Sequence, residues 1–446
     1  MVQVLNAWCM TKQERLKVIT AVLAVAGVLL WCMTKQERLK VITAVLAVAG
    51  VLLMNCSLHA LPKDNKGSIH LKIYNAPGFY VFHTDVGLKT LRQIWLRMNF
   101  VAEAYQQRLH AIFGGAVTQK LPFYIFKNSH EYYSDGGMPG SAGVFEYNYT
   151  GQWLMAIGGR HMTHQRWHII QHEGFHQFTF AFIHRFLPAW ANEGTAEFFG
   201  EGLFTGSSFV TGWIPPYREA RIKYEIKHNK FKTIHAIREM SYRRWNDALM
   251  GTNYDEAWSM IYFLAYANHG RYAVPFTQYL RLYREGLDAQ TAWERIFGNN
   301  DLAFQRLYVK YWLNMPPNAT AELYAGVQTE ALTNFLARAC ILKQRFDSAQ
   351  SFLSAARNGT LKVYHFPNRL WLPPNLLKHA LRESRHIGTW SIKRSGLPQL
   401  ICTMPNGTQI IGSFQIADDR PVGVKVTAKA TSTKTGPLSY LETVAR

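Results

Sequence analysis

The sequence feature that most constrains this chain is the stretch 171–178, which reads Q-H-E-G-F-H-Q-F and contains an H-E-x-x-H motif. On a helix, His172 and His176 lie one turn apart and project from the same face. Two imidazoles placed in this way can bind one Zn²⁺ ion, and Glu173 beside them can accept a proton from a water molecule. The motif therefore predicts a helix that carries a metal site.

The residues around the motif favour a buried helix. Five apolar side chains flank it: Ile169, Ile170, Phe175, Phe178 and Phe182. Gly174 departs from this pattern, because glycine costs a helix about 1 kcal/mol relative to alanine. In a chain with 17 histidines, a helix with two hydrogen-bonded histidines and no metal is the simplest alternative. His161, His164 and His168 precede the motif, and a site shifted by one turn would use His168 instead. We expect these three either on a partly exposed helix face or as hydrogen-bond donors behind the metal ligands.

A second motif follows in the segment 188–197, which reads P-A-W-A-N-E-G-T-A-E. A proline favours the first turn of a helix, so this segment predicts a new helix with carboxylates at Glu193 and Glu197. Two antiparallel helices joined by a short turn would bring Glu193 back to the histidine pair. A catalytic zinc ion has three protein ligands and keeps one position for water. The predicted ligands are His172 and His176 together with Glu193.

The pair of motifs resembles the gluzincin metallopeptidases, the thermolysin-like zincins whose third ligand is a glutamate. The phrase W-x-N-E-G-x-A is similar to the aminopeptidase branch, and the whole pattern resembles most the peptidase MA-like group of uncharacterised bacterial secreted proteins. The resemblance covers residues 70–315. It implies an α+β fold with a mixed β-sheet N-terminal lobe and a helical C-terminal lobe, and Zn²⁺ as the cofactor. The metzincin pattern is absent, because Thr179 and Phe182 stand where its glycine and third histidine would be.

The resemblance also implies roles for individual residues. Glu173 is expected to take a proton from the zinc-activated water and to deliver it to the leaving amine. Tyr254 matches a tyrosine that stabilises the tetrahedral intermediate in the aminopeptidase branch, with ordinary packing or helix capping as the alternative. Glu197, one turn beyond Glu193, is expected to orient a metal-bound histidine.

Hydrophobic patterns predict a strand–helix–strand order ahead of the motif helix. The predicted elements are strands at 68–74, 79–83 and 121–126, a helix at 88–112 and a loop at 128–143. Two further strands are predicted at Val144–Tyr149 and Trp153–Ile157. By analogy with gluzincins, one of these two would lie at the sheet edge and pair with the substrate backbone.

Beyond the second motif the chain is largely helical. Arg218–Lys232 is rich in Lys and Arg, and we expect it to form a helix with a solvated basic face. Two amphipathic helices are predicted in 287–312, a helical hairpin in 322–358, and a link in 360–385. The predicted organisation is a targeting segment at 1–60, a zincin-like metallopeptidase domain at 61–315, a helical hairpin with its linker at 316–385 and a small β-rich module at 386–446.

The N-terminal segment indicates export. Residues 8–30 and 31–53 are the same 23-residue block in tandem. Each copy has a basic start followed by an apolar run of about a dozen residues, which is typical of a signal peptide and short for a membrane span. We therefore expect a periplasmic, cell-surface or extracellular protein, either released or anchored through this segment. Cys340 and Cys402 fall in the folded part, and a disulfide between them is left open.

The net charge of +20 bears on partners. A basic surface suits an anionic cell-wall polymer or a membrane surface, whereas no aromatic–basic RNA-binding signature or helix-turn-helix phrase indicates nucleic acid. The sequence thus favours an exported zinc metallopeptidase that hydrolyses peptide or protein substrates. The alternative is a catalytically inactive protein on a zincin scaffold that binds anionic cell-wall or surface polymers.

Overall fold

The computed structural model describes residues 71–159, 161–247 and 251–429 of a mixed α/β protein. The duplicated segment within 1–60, and with it the prediction of export, lies outside the described residues. The same holds for residues 430–446 of the predicted β module. Across the described ranges, no helix combines the length and the apolar character that a bilayer crossing requires.

A five-stranded mixed sheet forms the N-terminal part. Its strands are β1 (Lys72–Tyr74), β2 (Tyr80–Thr84), β3 (Leu121–Phe126), β4 (Gly143–Asn148) and β5 (Gly151–Ile157). The order across the sheet is β1-β2-β3-β5-β4, in which β2, β3 and β5 run parallel and the two outer strands antiparallel to their neighbours. The predicted mixed sheet is confirmed. Of the two candidate edge strands, β4 lies at the edge and β5 inside the sheet.

Two helices accompany these strands. Helix α1 (Leu88–Phe113) buries an apolar stripe through Leu91, Ile94, Met98 and Val101, at the spacing that predicts an amphipathic helix. Helix α2 (Ser129–Ser134) falls where a loop was predicted, and that part of the prediction is wrong. The Asn128 side chain accepts a hydrogen bond from Glu131 N, so a capping residue starts a single helical turn in a polar segment.

The two motifs form an antiparallel helix pair. Helix α3 (His164–Ile183) begins at Thr163, whose hydroxyl accepts a hydrogen bond from Arg166 N, and ends at His184 in the left-handed conformation (φ 53°). Helix α4 (Ala189–Gly200) begins after Pro188. Helix α3 packs against α4, α1 and the strands β4 and β5. The short turn between the helices returns the second motif alongside the first.

Within the described residues, a short hairpin and a series of helices complete the part of the chain before residue 316, and the helix Gly251–Gly270 is interrupted by a kink at 267–269. The hairpin and the helices are β6 (Leu203–Phe204), β7 (Phe209–Val210), α5 (Pro216–Lys227), α6 (Ile234–Arg238), α7 (Tyr242–Asp247), α8 (Gly251–Gly270), α9 (Ala273–Arg284), α10 (Ala289–Phe297) and α11 (Asp301–Asn314). One hydrophobic core runs from Tyr80 on β2 to Met315 just after α11. The sheet and the helices around the motif pair therefore share a single interior.

The C-terminal part packs three helices on an antiparallel sheet. These elements are α12 (Ala321–Ile341), α13 (Ala349–Arg357), α14 (Pro374–Ile387), β8 (Thr389–Arg394), β9 (Pro398–Thr403), β10 (Gln409–Ala417) and β11 (Arg420–Lys429). The strand order is β11-β10-β9-β8, which confirms the predicted β-rich segment. Helix α14 occupies much of the predicted link at 360–385, and the link prediction is wrong there because Pro374 starts a helix. Cys340 and Cys402 are both free thiols.

A buried carboxylate joins the two parts of the chain. Glu330 on α12 accepts hydrogen bonds on Oε1 from the hydroxyls of Thr205 (2.8 Å), Ser207 (2.9 Å) and Ser208 (2.8 Å). Burial raises the pKa of Glu330. The three hydroxyls belong to the turn between β6 and β7, which follows α4 directly. The C-terminal unit is thus attached to the segment that leaves the second motif.

Two glycines of the motifs permit close helix packing. A Cβ at Gly174 would lie 3.0 Å from Met98 Cε and 3.3 Å from Tyr105 Oη on α1. A Cβ at Gly194 would lie 2.5 Å from the backbone oxygen of Ala257 on α8. Side-chain atoms can shift to relieve the first contact, whereas a helix backbone cannot move cheaply. Gly194 therefore sets how closely α8 approaches the helix that carries Glu193.

We expect Gly194→Ala to destabilise the protein although alanine is the better helix former. Overpacking against a backbone costs about 1–3 kcal/mol, which exceeds the gain in helix propensity of about 1 kcal/mol. Thermal unfolding followed by circular dichroism measures the effect. The matched control is Gly251→Ala at the exposed start of α8, where the nearest atom is 3.9 Å away. An unfolding midpoint for Gly194→Ala at or above that of the control would contradict the packing argument.

Candidate metal centre

Three ligand atoms from the two motifs converge on one point. Nε2 of His172 lies 3.0 Å from Nε2 of His176. Oε2 of Glu193 lies 3.3 Å from Nε2 of His172 and 3.4 Å from Nε2 of His176. All three side chains are largely buried, with 8–12% of each exposed. Two imidazoles and one carboxylate thus form a nearly equilateral triangle of donor atoms.

The triangle has the dimensions of a zinc site. Zinc binds histidine nitrogen at about 2.0–2.1 Å and carboxylate oxygen at about 2.0–2.2 Å in tetrahedral geometry. Two ligands at these distances and a tetrahedral angle are about 3.3–3.5 Å apart, close to the separations of the three atoms here. The two-nitrogen, one-oxygen set is also the ligand set of catalytic rather than structural zinc. These residues therefore fit Zn²⁺ with one coordination position left for water.

The outer nitrogens of both histidines lie close to polar side chains of α4. Nδ1 of His176 lies 2.9 Å from the side-chain amide of Asn192. Oδ1 of Asn192 is buried without a hydrogen-bond partner among the described residues, and turning the amide by 180° makes Oδ1 the acceptor of an Nδ1–H proton. Nδ1 of His172 lies 2.9 Å from Oε1 of Glu197. A proton on Nδ1 leaves Nε2 free to bind metal. The Asn192 contact selects this tautomer for His176, and the nearby Glu197 charge favours it for His172 although the pair does not form a well-directed hydrogen bond.

Glu197 is held from behind by a buried arginine. Arg218 on α5 pairs through Nη2 with Oε2 of Glu197. Its other nitrogens lie 2.7 Å from Glu201 Oε1 and 2.7 Å from Asp255 Oδ1. Burial acts to lower the pKa of Arg218, but the carboxylates outweigh burial and raise it. The guanidinium therefore stays charged and ties together α4, α5 and α8 directly behind His172.

The expectation of a solvated basic face at 218–232 is wrong for its first residue. Arg218 is only 5% exposed, and the helix itself ends at Lys227. Three carboxylates distributed over two other helices account for its burial, because a charge can be buried when it is paired and hydrogen-bonded. The spacing of residues within the basic segment does not indicate these three carboxylate partners, because they lie outside the segment.

A second group of possible ligands lies next to the first. His168, His172 and Glu197 have ligand atoms within 4.8 Å of one another. Metal there would have to bind Nδ1 of His172, and Arg218 already occupies the Glu197 carboxylate with a positive charge. His168 instead contacts Glu197 and Glu201, at 3.3 Å and 3.5 Å. The geometry therefore favours the group with Glu193 over a site shifted by one turn.

The ligand set carries strong internal electrostatic coupling. Burial acts to raise the pKa of Glu193, but His176 and His172 outweigh it and lower the value to about 2. Burial acts to lower the pKa of His172, and Glu193 and Glu197 raise it well above its usual value. The carboxylates thus attract positive charge to the site, and a metal ion competes with protons for the same imidazoles.

Glu173 lies between the metal ligands and the edge strand. Its Oε2 accepts a hydrogen bond of 2.9 Å from the backbone N–H of Phe145 on β4. Burial raises the pKa of Glu173, while His172 and His176 act in the opposite direction. Anchored through one oxygen, the carboxylate keeps its other oxygen available for a proton. It also links the motif helix to the edge strand β4.

Tyr254 on α8 also reaches this centre. Its ring centroid lies 6.1 Å from that of His172, and it packs edge-on against Trp245 at 5.5 Å. Burial raises the pKa of Tyr254, and the charge of Glu193 adds to that effect. The hydroxyl therefore keeps its proton at neutral pH and can act as a hydrogen-bond donor. All six residues that the sequence nominated lie together: His172, Glu173, His176, Glu193, Glu197 and Tyr254.

Sequence reasoning missed Gln171, the residue just ahead of the motif. Its buried side chain donates through Nε2 to the carbonyls of Phe199 (3.0 Å), Gly200 (2.9 Å) and Gly202 (3.2 Å). Its Oε1 accepts 2.7 Å from Nε of Arg97. Gln171 thereby satisfies carbonyls at the C-terminal end of α4 that have no partner within the helix. The only sign of this role in the sequence is that Gln171 is a polar residue next to the apolar Ile169 and Ile170.

Comparison with known proteins adds no assignment. No model of a known protein family matches the chain, and a search of curated proteins finds no match.

We expect His176→Ala to abolish stoichiometric zinc binding, because it removes one of the three predicted protein ligands. Metal content after dialysis against zinc, measured by inductively coupled plasma mass spectrometry, tests this. His161→Ala, at an exposed histidine outside the centre, is the control and should retain zinc. Equal zinc content in the two variants would show that the ligand set is misassigned.

Proposed function

We propose that this protein is a zinc-dependent metallopeptidase of the gluzincin type, which hydrolyses peptide bonds with a glutamate as general base. The observation that carries the proposal is the convergence of His172, His176 and Glu193 within 3.4 Å of one another. Glu173 lies beside this triangle with a hydrogen bond to an edge strand. The proposal would have weaker support if the metal-binding group had no neighbouring base, or if the base had no neighbouring strand that could bind a substrate.

Each protein group has a definable task in this reaction. Zn²⁺ bound to the three ligands would lower the pKa of its water towards about 7 and polarise the peptide carbonyl. The Glu173 carboxylate accepts the proton of the attacking water and then donates it to the nitrogen of the leaving amine. Tyr254 donates a hydrogen bond to the carbonyl oxygen of the scissile bond as that oxygen becomes an oxyanion. Glu197 and Asn192 hold the two imidazoles.

The edge strand β4 supplies a place for the substrate backbone. Its partner β5 covers only one side, so the outward backbone groups other than the Phe145 N–H are available to a peptide in the manner of β-augmentation. The Phe145 N–H on that side already contacts Glu173. A peptide paired with β4 would therefore lie alongside Glu173 and the proposed metal ligands.

Several broader features fit the same proposal. A mixed sheet with an antiparallel edge strand precedes the motif helix, and helices follow it, as in the two lobes of thermolysin-like zincins. Export remains a prediction from the duplicated segment within 1–60. The alternative, an inactive scaffold that binds anionic polymers, has the net charge of +20 in its favour.

We expect Glu173→Gln to retain zinc and to lose peptidase turnover by about 10²–10⁴-fold, because glutamine preserves shape but cannot accept a proton. Digestion of a mixed peptide library, read by mass spectrometry beside metal analysis, measures both properties. Glu239→Gln, at an exposed position, is the control. A fully active Glu173→Gln variant would exclude the base assignment. Wild-type protein that binds zinc and cleaves no peptide would favour the inactive scaffold.

We expect Tyr254→Phe to lower kcat by about 10²-fold and to leave KM nearly unchanged, because the lost hydrogen bond forms only as the oxyanion develops. Steady-state kinetics on one cleaved peptide separate the two parameters. Tyr149→Phe removes a hydroxyl from an exposed tyrosine outside the centre and serves as the control. A kcat for Tyr254→Phe equal to that of the control would assign Tyr254 to packing alone.

A further inference from the structure

A group of partly exposed aromatic rings lies beside the metal centre. This aromatic cluster consists of Phe145 and Tyr147 on β4, Phe180 on α3, Phe186 in the turn after α3 and Tyr242 on α7. Tyr147 is 48% exposed, and the other four are intermediate between buried and exposed. Apolar surface gathered in this way on a folded protein usually marks a binding site.

The rings of the aromatic cluster contact one another continuously. Tyr147 lies 4.4 Å from Phe180 and 5.3 Å from Phe186, measured between ring centroids. Phe145 stacks on Tyr147 at 6.1 Å and lies 5.8 Å from Phe180. Phe186 reaches Tyr242 at 5.5 Å. The edge strand, the end of the motif helix and α7 therefore present one joint aromatic surface.

Strand register places this surface next to backbone groups that point away from β5. Ala142 O accepts from Ile157 N at 2.9 Å, so the residues paired by hydrogen bonds to β5 are the even-numbered ones. In an antiparallel pair the alternate residues direct N–H and C=O away from the partner strand. These are Gly143, Phe145 and Tyr147, and the bond from Phe145 N to Glu173 agrees with this direction. Phe145 and Tyr147 thus combine outward backbone groups with cluster rings.

The aromatic cluster also adjoins the reacting groups. The backbone of Phe145 binds the proposed base Glu173 at 2.9 Å. At the other end, the Tyr242 hydroxyl donates to Leu187 O at 2.9 Å in the turn that leads into α4. The cluster therefore extends from Glu173 to the turn that leads into α4, the helix that carries Glu193.

We propose that the aromatic cluster is the specificity subsite for a large apolar or aromatic side chain of the peptide substrate. This inference rests on the proposed function. A peptide paired with β4 advances about 3.3 Å per residue, so the side chain that meets the cluster lies within one or two residues of the scissile bond. The substrate class is thus a peptide segment with a Phe, Tyr, Trp or Leu residue at one fixed position near the cleavage site.

The first experiment compares two peptides that differ only by Phe or Ala at the position selected in a library digest. The full-length zinc-loaded protein should prefer the Phe peptide by about 10–100-fold in kcat/KM, the range that a hydrophobic pocket achieves. Tyr147→Ala and Phe186→Ala should each lower kcat/KM on the Phe peptide by about 10-fold more than on the Ala peptide, so that the preference largely disappears. Tyr149→Ala, which removes an exposed ring on the β4–β5 turn, should keep both rates.

Binding gives a second readout that does not need turnover. The zinc-loaded Glu173→Gln variant should bind a fluorescent Phe peptide more tightly than the Ala peptide, and adding Tyr147→Ala should remove the difference. Zinc-dependent cleavage without an apolar preference, or a preference unchanged in both cluster variants, would overturn this inference and leave the proposed function intact. No cleavage and no peptide binding would refute both. A change in oligomeric state on Tyr147→Ala, without a change in preference, would reassign the cluster to an interface between copies.

Discussion

The structure around the candidate centre depends on one constraint, the return of a carboxylate to a histidine pair on a neighbouring antiparallel helix. Glu193 meets both imidazoles only because α4 packs tightly against α3 and α8. Gly194 permits the approach of α8 by leaving room for the Ala257 carbonyl, and Gln171 fastens the far end of α4 to the motif helix. The ligand triangle is therefore a product of helix packing rather than of the motif alone.

Ion pairing offsets the free-energy cost of burying charged side chains between these helices. Glu197, Glu201 and Asp255 are buried around a single guanidinium, that of Arg218. An unpaired buried charge costs several kcal/mol, whereas a paired one with satisfied hydrogen bonds is roughly neutral. The network therefore adds little to the free energy of unfolding and acts chiefly on position. It holds the Glu197 carboxylate 2.9 Å from Nδ1 of His172, where the proposed function requires a group that orients a metal ligand.

The sequence predicted the local features of the fold and the centre, and missed the long-range ones. Periodicity located α1 and the strands of the mixed sheet, since these patterns depend on residues close in the chain. Motif chemistry nominated His172, Glu173, His176 and Glu193, which the fold brings together. The burial of Arg218 could not be predicted, because its partner Asp255 is 37 residues away. The aromatic cluster was missed for the same reason, as its rings come from four separate elements.

The central claim is that His172, His176 and Glu193 bind one metal ion with catalytic geometry. X-ray absorption spectroscopy of the zinc-loaded protein, combined with anomalous diffraction at the zinc edge, tests it most directly. The account predicts one zinc ion with two histidine nitrogens at about 2.0–2.1 Å, one Glu193 oxygen at about 2.0–2.2 Å and one light-atom ligand from water. An anomalous peak between His168, His172 and Glu197, or zinc coordination without Glu193, would contradict it.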